Sequence, residues 1–147
     1  MGATVRQILQ SKGNTIWSIG PEATVFEALI LMSEKDIGAL LVVEGDKLVG
    51  ILSERDYARR VILKGRSSKD TRVGELMTPE VFYVRPEQTI EECMALMTNK
   101  HIRHLPVLEN EKLVGMITIG DAVKAVIADQ EVMIHSLENY IWGGYGH

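Results

Sequence analysis

The chain has a single cysteine, Cys93, which leaves no partner for an internal disulfide and fits a reducing, cytoplasmic setting. Aromatic residues make up only 5%, within an otherwise ordinary balance of 46% hydrophobic and 24% charged residues over 147 positions. Basic residues are not in excess. The net charge of −4 argues against a surface that grips nucleic acid along its whole length, so an anionic ligand would need a local basic cluster. No run approaches the roughly 18 apolar residues of a membrane span, and no membrane role is expected. The opening MGATVRQILQ lacks an apolar signal core with a cleavage site, and Arg6 stands where a myristoylation motif wants Ser or Thr.

Chemistry-bearing constellations are missing as well. His101, His104, His135 and His147 are scattered, and no helical zinc pair of the H-E-x-x-H kind occurs. His101 and His104 fall across a helix-to-strand boundary, which makes them poor ligands for one metal. There is no Walker loop, and the terminal Gly143-Gly-Tyr-Gly-His147 reads as a frayed tail. Cys93 falls on the buried face of a helix, where it behaves as a small hydrophobe. No nucleophile or acid/base set is assembled, so no enzyme and no catalytic cofactor is expected.

What the chain does have is a repeat. Shifted by 65 residues, positions 19–62 lie over 84–127 without a gap, and 18 of the 44 pairs are identical. Upstream, Val5-Arg-Gln-Ile-Leu9 answers Val73-Gly-Glu-Leu-Met77. The organisation read from this is a first unit over 5–64, a polar linker over 65–72, a second unit over 73–128, and an extension with tail over 129–147. Units of about 60 residues are marginal alone, so the two should fold against one another.

Both units share one grammar. Thr24 and Thr89 open helices with Glu27 and Glu92 at capping-box spacing. Apolar residues then recur at helical spacing: Val25, Ala28, Leu29 and Met32 in one, Ile90, Cys93, Met94 and Met97 in the other. Apolar runs at Ala39–Val43 and His104–Leu108, turns, and further runs at Leu48–Leu52 and Leu113–Ile117 predict two β-hairpins. Short strands are predicted at Ile16–Ile19 and Val81–Val84, and second helices begin at Ser53 and Thr118. The fold class is α/β: two tandem β-α-β-β-α repeats packed as a pseudo-twofold pair, their sheets facing, with a C-terminal helical extension.

Each third strand ends in Gly-hydrophobic-hydrophobic-Ser/Thr-x-x-Asp: Gly50-Ile-Leu-Ser53-Glu-Arg-Asp56 and Gly115-Met-Ile-Thr118-Ile-Gly-Asp121. With Leu105-Pro-Val107, this resembles the CBS (cystathionine-β-synthase) domain over residues 5–128. The resemblance implies a Bateman module, a CBS pair whose clefts take AMP, ADP, ATP, NADH or S-adenosyl compounds. AMP is the first expectation.

An adenine nucleotide asks for a phosphate seat, a partner for the ribose diol and a slot for the base. Ser53 and Thr118 stand at helix N-termini, where free amides attract anions, and their hydroxyls can add to a phosphate. Asp56 and Asp121, one turn on, can accept from a ribose diol. Gly50 and Gly115 would allow close backbone approach. The same Ser/Thr-x-x-Asp spacing also makes an N-capping box, and the two roles can coexist. Arg103 and His104 are the expected phosphate cations, with Arg55 a third; their counterparts Gly38, Ala39 and Gly120 carry no charge, so the two clefts should differ. Ile16, Val81, Ile37 and Ile102 are placed to line a base slot, though each also suits plain core. Thr78 resembles a threonine that family members use near the ligand.

Beyond Asp121 an apolar stripe continues through Val126, Ile127, Met133, Ile134, Leu137, Tyr140, Ile141 and Trp142. It either packs back on its own domain or meets a protein partner or a second copy in a homodimer. The function expected is a stand-alone regulatory module that senses an adenine nucleotide. The alternative is a constitutive dimerisation module whose Ser/Thr-x-x-Asp runs serve only as caps.

Overall fold

The computed structural model describes residues 2–143, and the side chains of residues 2–139. In the first repeat β1 (Ser18–Ile19) lies parallel to β2 (Ala39–Glu44), which pairs antiparallel with β3 (Lys47–Ser53). In the second, β4 (His104–Glu109) and β5 (Lys112–Thr118) repeat that hairpin in the same register, Leu105 opposite Ile117 as Leu40 is opposite Leu52. Around them stand α1 (Val5–Lys12), α2 (Val25–Lys35), α3 (Glu54–Tyr57, continued by a π-helical turn at Ala58–Ile62), α4 (Val73–Leu76), α5 (Ile90–Lys100) and α6 (Ile119–Gly143). The two hairpins meet through β3 and β5.

The predicted strand at Val81–Val84 shrinks to one bridge, Val84 with Val107. The reason is Pro106. Its counterpart Leu41 donates its N–H to the Trp17 carbonyl at 3.4 Å, whereas proline has no N–H to donate. In the first repeat, likewise, the strand is shorter than the Ile16–Ile19 expected.

Thr24 and Thr89 cap α2 and α5, accepting from the amides of Glu27 (3.1 Å) and Glu92 (3.2 Å). Neither glutamate completes the box by reaching back to the cap backbone. The first amides of these helices are met from elsewhere: Val25 N–H donates to Thr71 O (2.8 Å) and Ile90 N–H to Ala3 O (2.9 Å).

Those two bonds mark an exchange between the repeats. Val5, Ile8 and Leu9 of α1 are buried in one core with Val84, Ile90, Cys93, Met97, Leu105, Val107 and Ile117 of the second repeat. Val73 and Leu76 of α4 are buried with Val25, Ala28, Met32, Leu40, Val42 and Leu52 of the first. Each leading segment thus completes the other unit's core. Gly50 and Gly115 serve this crossing rather than a ligand: a Cβ on Gly50 would sit 2.6 Å from Met77 Sδ and 3.0 Å from the Thr78 carbonyl oxygen, and one on Gly115 would sit 2.6 Å from Leu9 Cδ2.

Cys93 is fully buried opposite its counterpart Ala28, and burial first, with Glu92 nearby, pushes its thiol up to about 11. It is a packing residue. In α6, Ala122 is buried and Val126 packs on the second core, but every residue from Ile127 to Asn139 is exposed. From Ile127 to Asn139 the stripe therefore does not fold back on its own domain, and Val132 and Leu137 are 67% and 56% exposed. The side chains of Tyr140, Ile141 and Trp142, and the tail from residue 144, lie outside the described residues.

Candidate functional site

A cleft of about 560 Å³ opens between the repeats, a size that suits a small organic ligand. One wall is the end of β3 and the start of α3: Ile51, Ser53, Glu54, Arg55 and Asp56, with Gly38 beside them. The floor is the stretch entering the second repeat, Thr78, Glu80, Val81 and Phe82. Facing these is the step from α5 into β4: Lys100, His101, Ile102, Arg103 and His104.

Local sequence explains each wall. α4 ends at Leu76 and Met77 turns extended (φ −58°, ψ 153°) two residues before Pro79. Thr78 then bridges to Ile51, with N–H···O bonds of 2.9 and 3.0 Å, so its side chain borders the cleft. His101 ends α5 in the left-handed region (φ 55°) and swings the chain into β4. The backbone of Arg103 is held by the first residue of α6, whose N–H (Ile119) donates to the Arg103 carbonyl at 2.9 Å.

Eight of the expected site residues come together here: Ser53, Arg55, Asp56, Thr78, Val81, Ile102, Arg103 and His104. Four do not line it. Ile37 packs on the first core, Ile16 is half-buried before β1, and Thr118 and Asp121 form a separate cap at the start of α6. Phe82, Lys100, Glu80 and Glu54 line the cleft without having been expected. Lys100 sits over the Phe82 ring, 4.9 Å from its centroid.

Both Ser/Thr-x-x-Asp runs are capping boxes. Ser53 Oγ accepts from Asp56 N–H (3.1 Å), while Asp56 Oδ2 accepts from Ser53 N–H and from its hydroxyl (3.0 Å each). The anion seat expected at this helix mouth is partly taken, since Glu54 N–H also donates to Gly38 O at 3.0 Å. What remains open is Asp56 Oδ1, which accepts no hydrogen bond among the described residues. Arg55, Lys100 and Arg103 likewise make no ion pair among them.

His104 does not enter as a ready-made cation. Burial first, and then neighbouring Arg103, lower its pKa against the pull of Asp121, which favours its neutral form. Asp121 is shielded differently: its Oδ2 accepts from Lys12 Nζ (2.7 Å) and from Thr118 N–H (2.9 Å). Burial pushes its pKa up, but the Lys12 and Thr118 bonds together hold it below the ordinary carboxylate value. A depressed acid stabilises the fold above its unfolded pKa and loses that contribution as pH falls through the folded one. Lys12→Ala should therefore cost about 1 kcal/mol at pH 7. The gap should narrow as pH falls below about 4, the ordinary carboxylate value, and on through the lower folded one, so that it is smaller in acid than at pH 7. Urea unfolding at pH 7 and in acid checks this; a gap unchanged at acid pH would mean that Lys12 acts through packing.

Among the described residues no group of His, Cys, Asp and Glu is arranged to hold a metal ion, and no helix is long and apolar enough to cross a membrane.

The CBS-domain family profile matches residues 5–63 and 73–128. A CBS domain-containing protein of Arabidopsis thaliana, CBSX3, named as mitochondrial, is 40% identical over 97% of this chain and 73% of its own length. A solved CBS-domain protein from Burkholderia ambifaria MC40-6 is 58% identical, covering 87% of this chain and 96% of that one, with a TM-score of 0.84. A hexameric CBS-CP12 protein from bloom-forming cyanobacteria is 30% identical over 84% of this chain and 67% of its own, with a TM-score of 0.74. The repeat, the hairpins in common register and these matches agree: the chain belongs to the CBS-domain family and is a pair of CBS domains, a regulatory kind of module.

Proposed function

We propose that the cleft between the repeats binds an adenine nucleotide, AMP first among them, and that its occupancy is passed to a protein partner. The observation that carries this reading is the company Asp56 keeps. Its Oδ1 is open towards a cleft that also holds Arg55, Lys100 and Arg103, cations without a carboxylate partner among the described residues. A carboxylate suits the ribose diol and the cations suit phosphate. Phe82 and Val81 offer apolar surface to the base, and His104 in its neutral form can donate or accept a hydrogen bond. The acids Glu54, Asp56 and Glu80 balance the three cations in number, which favours a ligand of low charge such as a monophosphate.

Arg103 supplies the route outward. Its side chain borders the cleft while its carbonyl oxygen holds the first amide of α6, the helix that is bare from Ile127 to Asn139. A ligand that draws on Arg103 in one packing of the repeats more than another shifts their balance by that difference in affinity. The partner side is open. The hexameric relative supports self-assembly of the module as one possibility to test. The Arabidopsis relative is mitochondrial by name, so membership of the family does not fix a cytoplasmic compartment.

Thermal unfolding with AMP, ATP, NADH and S-adenosylmethionine tests the reading. A true ligand stabilises by about 2.7 kcal/mol at 100 times its dissociation constant. No shift with any of the four would leave the other reading, a constitutive interaction module, which the exposed Val132, Met133, Ile134 and Leu137 favour.

A further inference from the structure

The two repeats carry the same cap but only one opens on the cleft. Asp56 lines it; Asp121, its counterpart 65 residues on, does not. The difference arises in the crossing segments. α4 stops at Leu76, because Thr78-Pro79 forces the chain extended and leaves the start of α3 uncovered. α1 has Gln10-Ser11 at the matching place and runs on to Lys12. That extra turn brings the Lys12 ammonium to Asp121 Oδ2 (2.7 Å) and to the Met116 carbonyl oxygen (2.9 Å). With Val5 matched to Val73, Lys12 falls at the place of Glu80, a residue on the floor of the open cleft.

We infer that Lys12 is a tethered cation seated where the second repeat would otherwise offer its carboxylate to a ligand, so that this CBS pair carries one nucleotide site and not two. The inference rests on the nucleotide reading of the open cleft. A ribose diol approaching Asp121 meets one oxygen, Oδ2, already bonded to an ammonium and an amide. Oδ1 accepts no hydrogen bond among the described residues, but it sits beside that ammonium on a side chain only 16% exposed. A phosphate finds no replacement for Arg103 and His104, because Gly38 and Ala39 occupy their places. Once Lys12 is removed, the second position can take the ribose and base but keeps only Lys35, at the place of Lys100, to meet the phosphate. It should prefer AMP over adenosine by less than the open cleft does.

Isothermal titration with AMP and with adenosine decides this on wild type, Lys12→Ala and Lys12→Arg, each first checked for cooperative thermal unfolding. The expected stoichiometries for AMP are one, two and one per chain, arginine restoring the closure. Adding Asp56→Ala to Lys12→Ala should remove the more AMP-selective event and keep the less selective one. Two molecules on wild type, or one on a folded Lys12→Ala chain, would overturn the inference while leaving the cleft reading standing. Binding by Lys12→Ala alone would sink the cleft reading and keep the role of Lys12. No binding by any of the three chains overturns both.

Discussion

Leu9→Ala should cost the protein about 2–5 kcal/mol, the range for a leucine cut out of a packed core. The loss should appear in the second repeat, although Leu9 belongs by sequence to the first. Leu9 is 6% exposed, shares its core with Leu105, Val107 and Ile117, and seats its methyl groups over Gly115. Its removal leaves a cavity beneath β5 that the hairpin cannot close without moving α1. Chemical denaturation reads the total, and native-state hydrogen exchange reads the place. Amides of β4 and β5 should lose protection before those of β2 and β3. A loss confined to the first hairpin would contradict the exchange of leading segments.

Arg103→Ala should weaken AMP binding about 10- to 100-fold, since a hydrogen bond to a charged group contributes about 1.5–3 kcal/mol and about 1.4 kcal/mol is tenfold. Adenosine affinity should change less than about twofold, because the lost contact is with the phosphate. The substitution spares the carbonyl that holds Ile119 N–H, so the start of α6 should survive it. Parallel titrations with the two ligands separate the possibilities. Equal losses for both would mean that Arg103 shapes the wall and does not meet the phosphate.

Much of this architecture was legible in the sequence because duplication doubles every signal. The hairpins, the caps at Thr24 and Thr89 and the cleft side of Ser53, Asp56, Arg103 and His104 follow from residues seen twice or conspicuously seen once. What escaped lies where the copies part. Periodicity marks Val5, Ile8 and Leu9 as a buried face but cannot say whose core they enter, since burial pattern is local and the partner is not. Lys12 sits in the stretch outside the ungapped alignment, so its match with Glu80, and the missing proline that lets α1 run on, went unread. Its place beside Arg103, just before Leu105-Pro-Val107, offers His104 as a cation, while burial and that same Arg103 lower its pKa, which no local pattern displays. The one signal for the lost strand was visible: Pro106 stands where the first repeat has Leu41.

The reciprocal packing of α1 and α4 also sets an order on synthesis. The first repeat has its whole core in hand once Leu76 has left the ribosome, a stretch of local contacts. α1 is made before the first hairpin but used only after the second, its apolar face waiting until Ile117 and Ala122 have been added. Closing that long loop is among the most non-local steps in the chain, and non-local closure is slow. The second repeat should therefore be the late-folding half, and the cleft, which needs both walls, forms only after the second hairpin has been made.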